Sequence, residues 1–149
     1  MIDYYTSIPA FKKEIPKFLA ESNNFAIIGI NDDPKSLGYQ LAKNLKKDFQ
    51  VFFVSPKVKK VLGQKCYATL SEIEQQIDVA VIVTPYHKTL SVIKDCLQNK
   101  IFKVWIEPGS ESSQAIEFCK KNNIKAIYFH SILKERTNPS TKYHFREES

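Results

Sequence analysis

The chain has 149 residues, 43% hydrophobic and 26% charged, with a formal net charge of +6, the size and balance of one globular domain. No apolar run approaches the ~20 residues of a membrane span, and the opening Met-Ile-Asp-Tyr-Tyr has no basic leader region, so a cytoplasmic protein is expected. The positive excess favours an anionic partner, but the lysines are dispersed and the aromatic residues lie mainly in apolar runs, which argues against nucleic acid.

The first periodic segment is helical. Ile8, Phe11, Ile15, Phe18 and Leu19 recur at three- and four-residue steps, and Pro16 inside the pattern predicts a kink or two short pieces. Phe25-Ala-Ile-Ile-Gly-Ile30 then reads as a buried strand, with Asn31-Asp-Asp-Pro34 as its turn. Leu41, Ala42 and Leu45 mark a helix from about 37 to 47. Val51-Phe-Phe-Val54 is a second strand, stopped by Ser55-Pro56. Ser71-Glu-Ile-Glu74 has the form of a capping box opening a short helix. Asp78 to Val83 is a third strand, ended by Thr84-Pro85, and Leu90, Ile93 and Leu97 mark the helix after it. Lys103-Val-Trp-Ile106 is a fourth strand; Ala115, Ile116 and Cys119 mark the next helix; Lys125 to Phe129 is a fifth strand.

Strands that are apolar on both faces and alternate with helices, without a hairpin signal, predict a Rossmann-like α/β fold: a doubly wound, parallel five-stranded sheet with helices on both faces. The expected organisation is a helical extension over 1–24, the α/β domain over 25–133, and a charged surface tail over 134–149. Cys66, Cys96 and Cys119 match neither a disulfide framework nor a zinc signature, and read as buried structural thiols.

Ligands of such sheets bind beyond the carboxyl ends of the strands, where strand order reverses. That rule selects Gly29 to Tyr39, Ser55 to Lys57, and Thr84 to His87. In the first segment Gly29 permits a sharp turn, and Gly38 leaves the next helix start open to close approach. Free amides there suit a pyrophosphate, although the full G-x-G-x-x-G pattern is absent. Asp32 and Asp33 would repel a phosphate if they faced it, and otherwise suit capping. In the second segment no acid stands after the strand to hold a ribose 2′-hydroxyl, as NAD requires. Ser55 and Lys57 suit a phosphorylated ribose instead, in NADP or coenzyme A. Thr84 and Pro85 would form the remaining wall. No histidine has a convincing nucleophile or carboxylate partner, and no histidine pair has metal spacing. Glu107 is the best-placed acid, with capping the plainer reading.

These segments resemble a family of small bacterial CoA-binding domains, related to the CoA-binding domain of the succinyl-CoA synthetase alpha subunit. The resemblance runs from about Phe25 to Leu133. It is carried by Ile28 to Pro34, Tyr39 and Ala42, by Val54-Ser-Pro56, by Leu62-Gly63 and Tyr67 to Leu70, and by Asp78, Val104-Trp105 and Gly109. It implies that Gly29, Ile30, Asn31, Lys35, Gly38 and Tyr39 hold the pyrophosphate. Ser55, Pro56 and Lys57 would hold the 3′-phosphate end, and Thr84 and Pro85 would line the rest. The chain departs from the family at Asn31, Gly38, Thr84 to His87 and Phe129-His130-Ser131, the last replacing an Asp-Arg-Cys. The expected function is binding of CoA or acyl-CoA by a non-catalytic module, alone, as a homodimer or with a protein partner. Two alternatives stand: an NADP-binding redox sensor or reductase subunit, and a subunit of an acyl-CoA ligase.

Overall fold

The computed structural model describes residues 13–137. Helix α1 occupies residues 13–20 and continues through Pro16 without a break. Strand β1 (Asn24–Ile28) follows, then α2 (Leu37–Leu45), β2 (Gln50–Val54), β3 (Lys60–Val61), β4 (Gln64–Tyr67), β5 (Val79–Ile82), α3 (Tyr86–Gln98), β6 (Lys103–Ile106), α4 (Ser113–Lys121), β7 (Lys125–Ile127) and α5 (Ile132–Thr137). Ile8, Phe11, Tyr4 and Tyr5 lie outside the described residues, as do residues 138–149.

The sheet order is β3-β4-β2-β1-β5-β6-β7. Every pairing is parallel except β3 with β4. The five expected strands are all present, with Phe25, Ala26 and Ile27 of β1 fully buried beside Val79 to Ile82 of β5. The expected count of five is corrected to seven, because β3 and β4 form a hairpin. Its two-residue turn has Leu62 at φ 53 and Gly63 at φ 73, the left-handed pair a tight hairpin requires. Leucine is not a residue that announces such a turn, and the strands beside it are only two and four residues long. The hairpin is pinned from outside: the Leu62 amide donates to Asp32 Oδ1 at 3.0 Å, and Gln64 Nε2 donates to the Val51 carbonyl. With β4 included, six parallel strands follow the 3-2-1-4-5-6 order of dinucleotide-binding folds.

The capping box does not form. Thr69 precedes a single 3₁₀ turn, Leu70–Glu72, and Ser71 donates instead to Asn99 Oδ1 at 3.3 Å. Helices α3 and α4 pack on each other, as do α2 and α5; right-handed crossovers set these pairs on opposite faces. Helix α5 crosses the boundary expected after Leu133, and its Arg136 reaches Asn44 and Asp48. Phe18 of α1 meets Trp105 edge-on at 6.4 Å. All three cysteines are buried and free, and burial raises each thiol, that of Cys119 to about 12. Among the described residues no helix is long and apolar enough to cross a membrane.

Candidate functional site

Strand order reverses between β1 and β5, since the chain steps outward one way to β2 and the other way to β6. A cleft of about 440 Å³ opens there, at the carboxyl ends of the strands. The three segments selected by sequence meet in it: Gly29, Ile30 and Asn31 from the first, Ser55, Pro56 and Lys57 from the second, Thr84 and Pro85 from the third. A smaller hollow of about 310 Å³ shares the β1 turn and Thr84-Pro85 with the cleft. It extends past Ser36 to Gly38 at the start of α2, and ends at Pro108 to Ser110.

Gly29 is required twice over. Its φ of +95 lies in the left-handed region, and an added Cβ would stand 2.6 Å from Thr84 Cγ2. The turn therefore closes against the β5–α3 loop. Gly38 serves packing as well as lining the smaller hollow. A Cβ there would lie 3.3 Å from both Ile30 Cγ1 and Val83 Cγ2, so its bare face also admits protein. It seats α2 on the loops beneath it.

The acids of the β1 turn are engaged by backbone amides, Asp33 within the turn and Asp32 across to the β3–β4 hairpin. Asn31 Oδ1 accepts from the Asp33 amide, Asp33 Oδ1 from the Lys35 amide, and Asp32 from Leu62 across the hairpin. Neither aspartate caps α2; Ser36 does, accepting from the Tyr39 amide at 3.3 Å. Lys35 and Tyr39 stand apart from the cleft. Lys35 belongs to the turn before the cap, and Tyr39 packs half-buried on the core.

Ser55 is buried at the end of β2, and its hydroxyl accepts from the Lys57 amide at 3.2 Å. A hydroxyl accepting one bond still has its own proton to donate. Thr84 is committed inward. Thr89 Oγ1 donates to the Ser110 carbonyl at 2.6 Å, so the 3.1 Å contact between the two threonine hydroxyls uses the Thr84 proton. Ser110 Oγ closes the circuit on the Thr84 carbonyl at 2.6 Å. Thr84 therefore gives the cleft a wall, not a donor.

Two groups of lining residues were not foreseen. Lys88, Ser91, Val92 and Asp95 of α3 face the cleft, as do Ala68 to Leu70 after β4. The α3 residues follow i, i+3, i+4, i+7, a helix-face signal present in the sequence. It was overshadowed by the apolar stripe of Leu90, Ile93 and Leu97. Ala68 to Leu70 depend on the hairpin.

Glu107 ends β6 fully buried. Its Oε2 accepts from the Ile132 amide at 2.9 Å, so it serves the start of α5; Oε1 has no hydrogen-bond partner among the described residues. Burial pushes its carboxyl up to about 7, against the pull of the Ile132 amide and the Ser131 side chain and with a further push from Glu111. The expectation that no histidine has a carboxylate partner is corrected at His130, whose Nδ1 lies 3.1 Å from Glu135 Oε1 across the first turn of α5. His87 stands exposed against the Tyr86 ring, and His144 lies outside the described residues.

A family model described as a CoA binding domain matches residues 23–137. The chain is 37% identical over 114 residues to the alpha subunit of acetate–CoA ligase [ADP-forming] II of Pyrococcus furiosus, covering 68% of this chain and 25% of that protein. It is 35% identical over 82 residues to acetate–CoA ligase [ADP-forming] of Methanocaldococcus jannaschii, covering 54% of this chain and 12% of that one. The chain thus spans a quarter or less of the length of these two ligases. The structure of a conserved hypothetical protein of Pyrococcus furiosus superposes with a TM-score of 0.72 at 30% identity, covering 76% of this chain and 98% of that one. That neighbour shares the α/β fold.

Proposed function

The chain belongs to the CoA binding domain family, and on that premise we propose that it binds coenzyme A in the cleft at the strand-order reversal, as a binding module without chemistry of its own. The observation that carries this reading is the meeting of the β1 turn with Ser55 and Lys57 in one cleft. The start of α2 lies beside that turn, where helix amides favour a pyrophosphate. Within the same cleft, Ser55, Lys57 and Lys88 offer a hydroxyl and two cations to a ribose phosphate. No acid at the end of β2 is present to prefer an unphosphorylated ribose. The comparisons lend nothing to the NADP alternative.

Thermal unfolding with coenzyme A, 3′-dephospho-CoA, NADP and NAD tests this. A ligand at 100 Kd adds about 2.7 kcal/mol of stability. Coenzyme A should raise Tm most, and Lys57→Ala should narrow its lead over dephospho-CoA. A rise with NADP and none with coenzyme A overturns the reading.

A second reading is favoured by the likeness to ADP-forming ligases several times longer than the chain. Here the module works as one subunit beside a partner that supplies the remaining machinery. The purified chain should then show no ATP synthesis from ADP, phosphate and acyl-CoA, and no release of coenzyme A. Turnover by the chain alone would contradict it.

A further inference from the structure

Past the smaller hollow, a separate one of about 670 Å³ lies between the starts of α3 and α4. Its walls follow directly in sequence on those of the smaller hollow, which shares the β1 turn and Thr84-Pro85 with the CoA cleft. Tyr86 succeeds Pro85, and Glu111 succeeds Ser110. A ligand leaving the cleft between those two loops runs next into this hollow.

Its chemistry differs from that of the cleft. Lys57 and Lys88 line the cleft, whereas among the described residues no lysine or arginine lines the hollow and Glu111 does. A second phosphate is therefore not what it is built for. Four large apolar side chains stand exposed among the described residues; two of them, Tyr86 and Phe129, line this hollow, and a third, Leu37, opens α2 in the smaller hollow next to it. Tyr86 is 62% exposed, and half-buried Leu90 lies one turn further along the same helix. Apolar surface collected in a concavity marks a binding site rather than ordinary surface. Phe129 also sits at φ 66, a conformation bulky side chains rarely adopt, and such positions cluster at ligand clamps.

We propose that this hollow receives the acyl group of an acyl-CoA, an aliphatic chain of several carbons, so that the preferred ligand is a thioester rather than free coenzyme A. The inference rests on the cleft binding coenzyme A. The hollow makes and breaks no bond; it selects.

Calorimetric titration of the full chain with coenzyme A and its S-methyl, S-butyl and S-octyl thioethers tests it. Free coenzyme A should bind, and Kd should fall with chain length by up to about fourfold for each methylene buried. Tyr86→Ala removes an exposed wall and should flatten that dependence while leaving the affinity for free coenzyme A in place. Ser113→Trp, at an exposed position on the rim, should flatten it by filling the space. If coenzyme A binds and the alkyl chains add nothing, or the dependence survives both variants, the acyl site is wrong and the CoA reading stands. If coenzyme A itself does not bind, the CoA reading has failed.

Discussion

Two glycine turns at the carboxyl edge of the sheet share a backbone angle and little else. Gly29 after β1 has φ 95, and Gly109 after β6 has φ 96. A methyl group at Gly29 would collide with Thr84, whereas at Gly109 it would meet nothing within 4 Å. At Gly29 the near turn is closed by packing against Thr84 and by the Gly29 amide's bond to the Val54 carbonyl, with no buried acid beneath it among the described residues. The far turn is held by polar groups: the Ser110 amide donates to the Glu107 carbonyl, the Ser110 hydroxyl to the Thr84 carbonyl, and the Gly109 amide to the Glu111 carboxylate. Beneath it the buried Glu107 carboxyl reaches α5. Packing is intolerant of added volume and indifferent to pH. A turn built on hydrogen bonds and a buried acid should behave the other way round.

The largest effect is expected where volume is added to the near turn. Gly29→Ala combines about 1–2 kcal/mol for an L residue in the left-handed region with about 1–3 kcal/mol of overpacking. Urea unfolding should register a loss of about 4 kcal/mol, and a loss under 1 kcal/mol would erase the distinction between the turns.

Next comes the pH response of the far turn. The Glu107 carboxyl is raised by burial to about 7 in the fold, against 4.5 as its ordinary value. The folded state therefore holds a proton that the unfolded chain releases above about 4.5. Its contribution is fully present below that pH and is lost as pH rises through about 7, amounting to about 3 kcal/mol. Glu107→Gln should match the native protein near pH 4 and exceed it near pH 8. Parallel stability curves for the two proteins would show that the acid is not buried as described.

A smaller loss tests the hydroxyl circuit. Thr89→Val leaves the Ser110 carbonyl and the Thr84 hydroxyl without their partner in the interior, at a cost of about 2 kcal/mol in the free energy of urea unfolding. Gly109→Ala should cost least, about 1 kcal/mol, since only its backbone angle is strained. An equal cost at Gly29 and Gly109 would mean that Thr84 yields to the added methyl.

The same division explains what could be read early. Phe25 to Ile28, Val51 to Val54 and Val79 to Ile82 were legible as buried strands because strand identity is written in runs of neighbouring side chains. The turns after them were legible as the edge that carries the cleft because the carboxyl ends of a parallel sheet leave a crevice where strand order reverses. The packing role of Gly38 was not legible, since its closest contacts come from Ile30 and Val83 and no local pattern announces them. The hairpin was missed because Leu62 is not a turn residue, and its amide is satisfied by Asp32, 30 positions away. Lys88, Ser91, Val92 and Asp95 were visible as a helix face but not as a cleft wall. Which face of α3 meets the cleft is fixed by the strands on either side of it.

The sequence by itself determined the parallel α/β sheet and the three loops that meet in the cleft, with Ser55 and Lys57 in place of an acid after β2. These are short-range matters of apolar runs, turn residues and the charge at a strand end. Only the tertiary structure decided that Thr84 spends its proton on Thr89, that Glu107 is buried under α5, and that Tyr86, Leu90 and Phe129 surround a hollow beyond the cleft. Each of those depends on groups brought together from distant parts of the chain, and burial, which raises the Glu107 carboxyl, exists only once the layers have closed.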